Sequence, residues 1–278
     1  MPLYVVATPI GNLEDLSSRA LRVLSECERV FAEDTRHTGG LFSRFGIATP
    51  LESLHAHNEE SKAARIVALL DAGASLALVS DAGTPAISDP GHVVVRAVLR
   101  AGHRVIPVPG PSALTAFASA AGLPTDELLF VGFVPRGTGP RRAAIESWLD
   151  SGHTVVMYES PNRVRELLSD LAEIGPTADV VVARELTKQF ETWYRGCAAE
   201  VAAQVTEDDA RGEFVVGVRG EPVAKAPREI EPWVQALAAE GLKTKQIARV
   251  IGQALGLPAD EVYREALKVR RSPQSSQE

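Results

Sequence analysis

Three short apolar runs in the first half of the chain each end in a turn crowded with small, polar and proline residues. The fullest is Ser80-Asp81-Ala82-Gly83-Thr84-Pro85-Ala86-Ile87-Ser88-Asp89-Pro90-Gly91, entered from Leu76-Ala77-Leu78-Val79. The other two are Thr8-Pro9-Ile10-Gly11-Asn12 and Pro109-Gly110-Pro111-Ser112-Ala113. Glycine lets backbone N–H groups approach a ligand closely, and in an open α/β sheet the carboxyl ends of the strands form the ligand crevice. Three such turns on one edge would make a site.

The chemistry such a site suits is narrowed by what the turns lack. There is no GKS/T phosphate loop and no GxGxxG fingerprint, the first turn having only Gly11, so a dinucleotide enzyme is disfavoured. Wide, proline-rich turns suit a folded small molecule with an adenine, a ribose and a zwitterionic end, and S-adenosylmethionine is such a molecule. Asp81 could approach its sulfonium or ammonium, while Ser112 and Ala113 at a helix start could offer N–H groups to its carboxylate. His55 and His57 lack a third ligand at a recognisable spacing, so a polar loop with Asn58 and Glu59 is the favoured reading over a metal site. Arg136, Arg141 and Arg142, set among Gly137, Gly139 and Pro140, read equally as a phosphate grip or as an ordinary helix start.

The elements that must position these residues follow from hydrophobic period. Leu3–Ala7, Arg29–Ala32, Ser75–Val79 and Arg104–Val108 read as strands, and Leu16–Cys27, Ser61–Leu70 and Val93–Ala101 as helices between them, which predicts parallel α/β. Asp15 and Ser61 are the expected N-caps, and Gly73 and Gly102 the residues that end helices. Ala121-Gly122-Leu123-Pro124-Thr125 reads as a break, giving a first domain over 1–122. Strands at Leu128–Phe133, Thr154–Tyr158, Val180–Ala183, Glu191–Arg195 and Glu213–Val218, with helices at Arg141–Leu149, Val164–Ile174 and Ala199–Val205, make a second α/β domain over 123–222 with a mixed sheet. A proline-containing linker follows. Three short helices at Glu231–Glu240, Thr244–Leu255 and Asp260–Val269 then outline a helix-turn-helix-like tail over 223–278, with a Ser/Gln-rich, disordered end from Arg271.

Composition bounds the partners. A chain of 278 residues with 45% hydrophobic content buries a sizeable core, and two distant cysteines suggest neither a zinc site nor a disulfide scaffold. With no signal segment and no apolar run of membrane-spanning length, a cytoplasmic location without membrane contact is expected. The net charge of −7 hides an uneven distribution. Lys243, Lys245, Arg249, Arg264, Lys268, Arg270 and Arg271 outnumber Asp260, Glu261 and Glu265 in the tail, so a nucleic-acid partner is possible locally.

Ala7-Thr8-Pro9-Ile10-Gly11-Asn12-Leu13, Ala32-Glu33-Asp34-Thr35-Arg36, His57-Asn58-Glu59, the second and third turns, and Ala183-Arg184-Glu185-Leu186-Thr187-Lys188 stand in one order along the chain. Together they resemble the ribosomal RNA small subunit methyltransferase I family, a branch of the tetrapyrrole methylase superfamily, over nearly the whole length. The resemblance implies two α/β domains with a cofactor cleft between them and a helical extension. It also implies S-adenosylmethionine as cofactor, a homodimer, and 2′-O-methylation of a cytidine in the decoding region of small-subunit (16S) ribosomal RNA, in the assembled 30S subunit. Carried over by position, Pro9, Asp81, Ala82, Gly83, Ile87, Ser112 and Ala113, with Tyr158 and Leu186 from the second domain, are the implied cofactor contacts. No metal is implied.

Methyl transfer to a ribose hydroxyl needs in-line placement, and a base could take the proton of this weak nucleophile. Asp34 with Arg36, and Glu185 with Lys188, are the candidate catalytic clusters, one of which is expected to orient the ribose. Two other readings stay open from the residues. The cofactor turns alone would also serve a tetrapyrrole or precorrin methylase, and the fold could be kept by a non-catalytic RNA-binding assembly factor.

Overall fold

The structure, a computed structural model, describes residues 1–209, 211–220, 230–255 and 259–271. The expected linker at 221–227, the turn at 256–258 and the polar end from 272 lie outside the described residues. Contacts divide the chain into two compact units, Met1–Glu221 and Pro222–Glu278.

The first unit opens with β1 (Leu3–Val6), α1 (Ser18–Glu26), β2 (Arg29–Ala32), α2 (Thr35–Phe45) and β3 (Leu51–Ser53). It continues through α3 (Glu59–Asp71), β4 (Leu76–Val79), α4 (His92–Arg100), β5 (Val105–Val108) and α5 (Ala113–Ala121). The five strands are all parallel, in the order β3-β2-β4-β1-β5. Both faces are covered. Val30, Ala77, Val79 and Val108 pack with Val23, Leu24 and Phe42 on one side, and Phe31, Leu76 and Leu78 with Ile66, Leu70, Val94 and Val98 on the other. This double burial is why the strands read as continuous apolar runs rather than as alternation.

That strand order decides the site. It sets the carboxyl ends of β2, β4, β1 and β5 side by side, so the turns that follow them are neighbours although they lie up to a hundred residues apart in sequence.

The second sheet is built from β6 (Leu128–Phe133), β7 (Thr154–Glu159), β8 (Asp179–Arg184), β9 (Thr192–Cys197) and β10 (Phe214–Arg219), in the order β6-β7-β10-β8-β9. Only β6 and β7 run parallel, so the sheet is mixed. α6 (Thr138–Ser151), α7 (Pro161–Ile174) and α8 (Ala198–Gln204) cover one face through Ile145, Val164, Leu167 and Val201. The other face receives α5: Phe117, fully buried, packs with Val156, Val181 and Val215. A Cβ on Gly217 would stand 2.6 Å from the Phe117 ring, so the absence of a side chain there lets α5 approach β10. Arg195 donates to the Ala120 carbonyl at 3.0 Å and lies over Trp193, which stacks on Phe117. α5 and the first turn therefore share a core with the second sheet.

Several expectations shift. Ser17, not Asp15, caps α1, its hydroxyl accepting from the Ala20 N–H at 3.0 Å, because Asp15 closes a short 3-10 turn capped by Asn12. Asn58 stands at the cap of α3, and Ser61 instead donates its hydroxyl to the Asn58 carbonyl. β3 and α2 carry no period legible in sequence: β3 has three residues, and α2 contains Gly39-Gly40 in its middle.

The second unit holds α9 (Glu231–Ala239), α10 (Thr244–Leu255) and α11 (Ala259–Arg271). Val234, Ile247, Ile251, Val262 and Ala266 form its core, and Lys243, Lys245, Arg249, Arg264 and Lys268 are exposed.

Candidate active site

The turns after β2, β4, β1 and β5 are stitched one to the next. Thr8 and Gly83 exchange both backbone hydrogen bonds, at 2.9 and 3.0 Å, joining the first turn to the second. The Thr84 hydroxyl donates to the Pro111 carbonyl at 3.0 Å, joining the second to the third. On the other side the Asp34 N–H donates to Asp81 Oδ1 at 2.9 Å. Behind the second turn, Glu59 is buried and its Oε1 accepts from the N–H groups of Gly91 and Val93, at 2.8 and 2.9 Å. It thereby caps α4 and pins the end of the turn. His55 serves the same loop, its N–H donating to Asn58 Oδ1 at 2.9 Å.

Strain concentrates on these segments. Ala86 and Ser88 in the second turn, and Glu185 and Thr187 after β8, hold left-handed backbone at φ between 55° and 67°. Each costs on the order of 1–2 kcal/mol, which surrounding contacts must offset. For Glu185 those contacts are explicit. Its backbone N–H donates to the Glu213 carbonyl, and its Oε1 accepts from the Glu213 N–H and from Lys188 Nζ, all at 2.9 Å. Thr187 N–H donates to Glu191 Oε2 at 2.7 Å. The first turn lies against this segment, since a Cβ on Gly11 would clash with Lys188 Cγ and crowd the Leu186 carbonyl.

Of the concavities beside the stitched turns, two hold most of the expected site residues. A cleft of about 360 Å³ is lined by Ala82, Gly83, Ile87, Ser112, Ala113 and Tyr158 among the expected cofactor contacts. A groove of about 560 Å³ is lined by Pro9, Asp81, Ala82, Arg36 and Lys188. Ile10, Ala82 and Glu213 border both. The expected cofactor contacts thus divide, with Pro9 and Asp81 facing the groove and only Ala82 common to the two. Leu186 is buried in the apolar cluster with Ile10 and Phe117. Asp34 caps α2 through the Arg36 N–H at 2.8 Å, and Glu185 underlies Lys188.

Residues that sequence reasoning missed complete the cleft: Ser88, Asp89, Phe133, Glu159 and Glu213. Glu159 is a carboxylate at the last position of an apolar strand, a signal available in sequence. Its Oε1 accepts from the Ser160 N–H at 2.7 Å and its Oε2 stands 3.3 Å from Arg163. Phe130 and Phe133 both meet Tyr158 edge-on, Phe133 brought there by a bulge in β6.

Electrostatics separates the groups. Burial pushes the Asp89 carboxyl up, the Ser80 hydroxyl offsets this in part, and the Asp81 charge adds to the rise. Glu33 is raised likewise by burial and by Asp89 and Asp81. Burial takes the Tyr158 phenol up to about 12, so it remains protonated at neutral pH. Burial works against the charges of Glu185 and Lys188 as well, but their mutual hydrogen bond and those with Glu213 outweigh it, holding the carboxyl low and the amine high. The N–H and guanidinium of Arg36 hold Asp34 below the usual range.

Arg141 and Arg142 are occupied elsewhere. Arg141 is buried and donates to Asp170 at 2.6 Å and Glu166 at 2.9 Å, while Arg142 pairs with Asp170 and Glu173, so both fasten α6 to α7.

Residues 2–202 match the family model of the Tetrapyrrole (Corrin/Porphyrin) Methylases. The chain is 47% identical to the ribosomal RNA small subunit methyltransferase I of Xylella fastidiosa, over 94% of its own length and 97% of that protein's. The chain belongs to that family. Members from Pseudomonas aeruginosa and Escherichia coli O157:H7 are 44% and 43% identical, each over 96% of this chain and over 96% and 94% of their own lengths. The family fold extends to solved structures of more distant proteins. Uroporphyrin-III-C-methyltransferase from Thermus thermophilus superposes with a TM-score of 0.53 at 23% identity, covering 80% of this chain and 95% of that one. A cobalt precorrin-4 methyltransferase gives 0.58 at 17%, covering 78% and 94%. These place the stitched turns in a tetrapyrrole methylase fold.

Proposed function

We propose that this chain transfers a methyl group from S-adenosylmethionine to the 2′-hydroxyl of a cytidine in the decoding region of small-subunit ribosomal RNA, within the assembled 30S subunit. The observation that carries the donor assignment is the charge of the cleft. Among the described residues the charged groups that line it are Asp89, Glu159, which also meets Arg163, and Glu213, which also meets Lys188, and these carboxylates suit a ligand bearing a sulfonium and an ammonium. At its other end α5 begins at Ser112 with no side-chain capping bond, and although the Leu114 N–H meets the Tyr158 phenol, the helix start offers its positive end to the ligand's carboxylate. S-Adenosylmethionine, when bound, supplies a methyl already activated by the sulfonium charge. Tyr158, flanked by Phe130 and Phe133, offers an apolar wall with a phenol that donates a hydrogen bond.

The acceptor assignment rests on the relatives, named as ribosomal RNA methyltransferases, which the chain matches nearly end to end. The cytidine, its 2′-hydroxyl and the decoding region come from the resemblance carried by the motifs. Of the four proposed catalytic residues, Asp34 and Glu185 are held ionised as weak bases and Lys188 is held protonated. One of the two clusters, Asp34 with Arg36 or Glu185 with Lys188, serves to orient the ribose, and positioning supplies the larger part of the rate. The exposed cations of α10 and α11 serve as a second contact to the RNA backbone. The enzyme is proposed to act as a homodimer.

Primer extension at low nucleotide concentration on ribosomal RNA from a deletion strain tests the assignment. The 2′-O-methyl stop in the decoding region is expected to vanish and to return with the cloned gene. A persistent stop refutes it, and methylation of uroporphyrinogen by the purified protein in place of ribosomal subunits would favour a tetrapyrrole acceptor.

A further inference from the structure

The groove beside the donor cleft has the opposite electrostatic character. Three formal cations, Arg36, Arg44 and Lys188, together with His37, face it, against Asp81 and Glu213. Among the described residues the charged groups lining its neighbour are carboxylates. In a chain of net charge −7 such a reversal across one shared wall requires an arrangement of particular residues. Two of the cations are already held: Arg36 pairs with Asp34 at 3.3 Å, and Lys188 lies between Glu185 and Glu213 at 2.9 Å from each. No carboxylate among the described residues lies within ion-pair distance of Arg44 or His37, both of which are exposed. They are available to a ligand.

Helix α2 supplies the spacing. Arg36, Gly40 and Arg44 recur every four residues and His37, Leu41 and Arg44 at four and three, so these residues share one face, the face that lines the groove. His37 and Arg44 are separated by about 10 Å along the helix axis. That is too far for one phosphate and suits two phosphates of one strand. Exposed Leu13 contributes an apolar patch between the charges.

We infer that this groove takes the RNA strand flanking the methylated nucleotide, with His37 and Arg44 on α2 contacting its phosphates and the shared wall of Ile10, Ala82 and Glu213 receiving the target ribose. The inference rests on the proposed ribosomal RNA acceptor. It adds a polyanion path built into the catalytic unit itself, separate from the basic tail.

The test uses the full chain and intact small ribosomal subunits from a strain lacking the methylation. In the His37→Ala/Arg44→Ala double variant, the KM for subunits is expected to rise about tenfold, with kcat within about twofold, and the slope of log affinity against log salt to fall by about one. Affinity for S-adenosylmethionine, read by calorimetry, and the melting temperature are expected to match the parent, because both side chains are exposed. Arg44→Lys should restore the salt slope. Arg100→Ala, at the end of α4 by the opposite edge of the sheet, should behave as the parent. If the double variant keeps the parent's KM and salt slope while the parent methylates subunits, this inference is overturned and the proposed function stands. A parent protein that transfers no methyl to ribosomal RNA overturns both. A loss confined to donor affinity would reassign the groove to the cofactor.

Discussion

Asp89 is a cleft carboxylate whose surroundings oppose its charge, and that opposition gives the cleft a use for a cation. Burial and the Asp81 charge raise it above the usual aspartate range, so in the empty cleft it contributes stability that is present at low pH and lost as pH rises through its raised value. A bound sulfonium or ammonium favours the ionised form. Donor affinity should therefore increase as pH rises through that range and fall below it, and Asp89→Asn should bind more weakly and flatten the dependence. Calorimetric titration of S-adenosylmethionine across mildly acidic to neutral pH decides this, and an unchanged pH profile in the variant would remove Asp89 from the site. Lys188 is held in the opposite sense, as a cation favoured by its surroundings. Its charge bridges Glu185 and Glu213, so Lys188→Met leaves two carboxylates unpaired beside a strained turn. A loss of about 1 kcal/mol is expected, reduced by partial exposure, or a few degrees in Tm, with a larger fall in turnover than in donor affinity.

At the scale of elements, the long second turn depends on a helix that precedes it in the chain. Glu59, at the start of α3, reaches across to the N–H groups that open α4, so one carboxylate sets where the turn ends. Glu59→Ala should cost about 1–3 kcal/mol, because two buried donors lose their acceptor. The same variant should weaken donor binding, since Ile87, Ser88 and Asp89 lie just upstream. A melting curve with calorimetry tests both, and a variant that melts lower but binds normally would confine Glu59 to stability. The presence of His57-Asn58-Glu59 among the motifs was legible in sequence; its partner thirty-two residues later was not. The same limit explains Arg141 and Arg142, whose basic, glycine-flanked setting suits phosphate until α7 brings Asp170 and Glu166 against them. Helix α2 escaped sequence reading because glycines interrupt its period, although it carries the cations of the groove.

For the whole molecule, a net negative charge and a polyanionic acceptor are reconciled by segregation. Carboxylates line the donor cleft, cations line the groove, and a further set of exposed cations lies in the helical tail. Lys245 and Arg249 sit one turn apart on the exposed face of α10, opposite the buried Ile247 and Ile251. Replacing both by glutamate in the full chain should leave the tail folded and donor affinity unchanged. Subunit affinity should drop, with a salt slope shallower by about two. An unaltered slope in the filter-binding or kinetic assay would show that the tail does not touch RNA.

The amino-acid sequence by itself determined the element types apart from α2 and β3, the mixed character of the second sheet and the three turns, because apolar period and the backbone restrictions of glycine and proline are local. It also determined family membership, through motifs whose order and number no local accident reproduces. Only the tertiary structure decided which turns adjoin. The order β2-β4-β1-β5 stitches Asp34 to Asp81, Thr8 to Gly83 and Thr84 to Pro111, and it divides the expected cofactor contacts between a cleft and a groove. Strand order arises from crossover packing over long separations, and the charge of a pocket arises from side chains that meet only once α5 has packed on the second sheet.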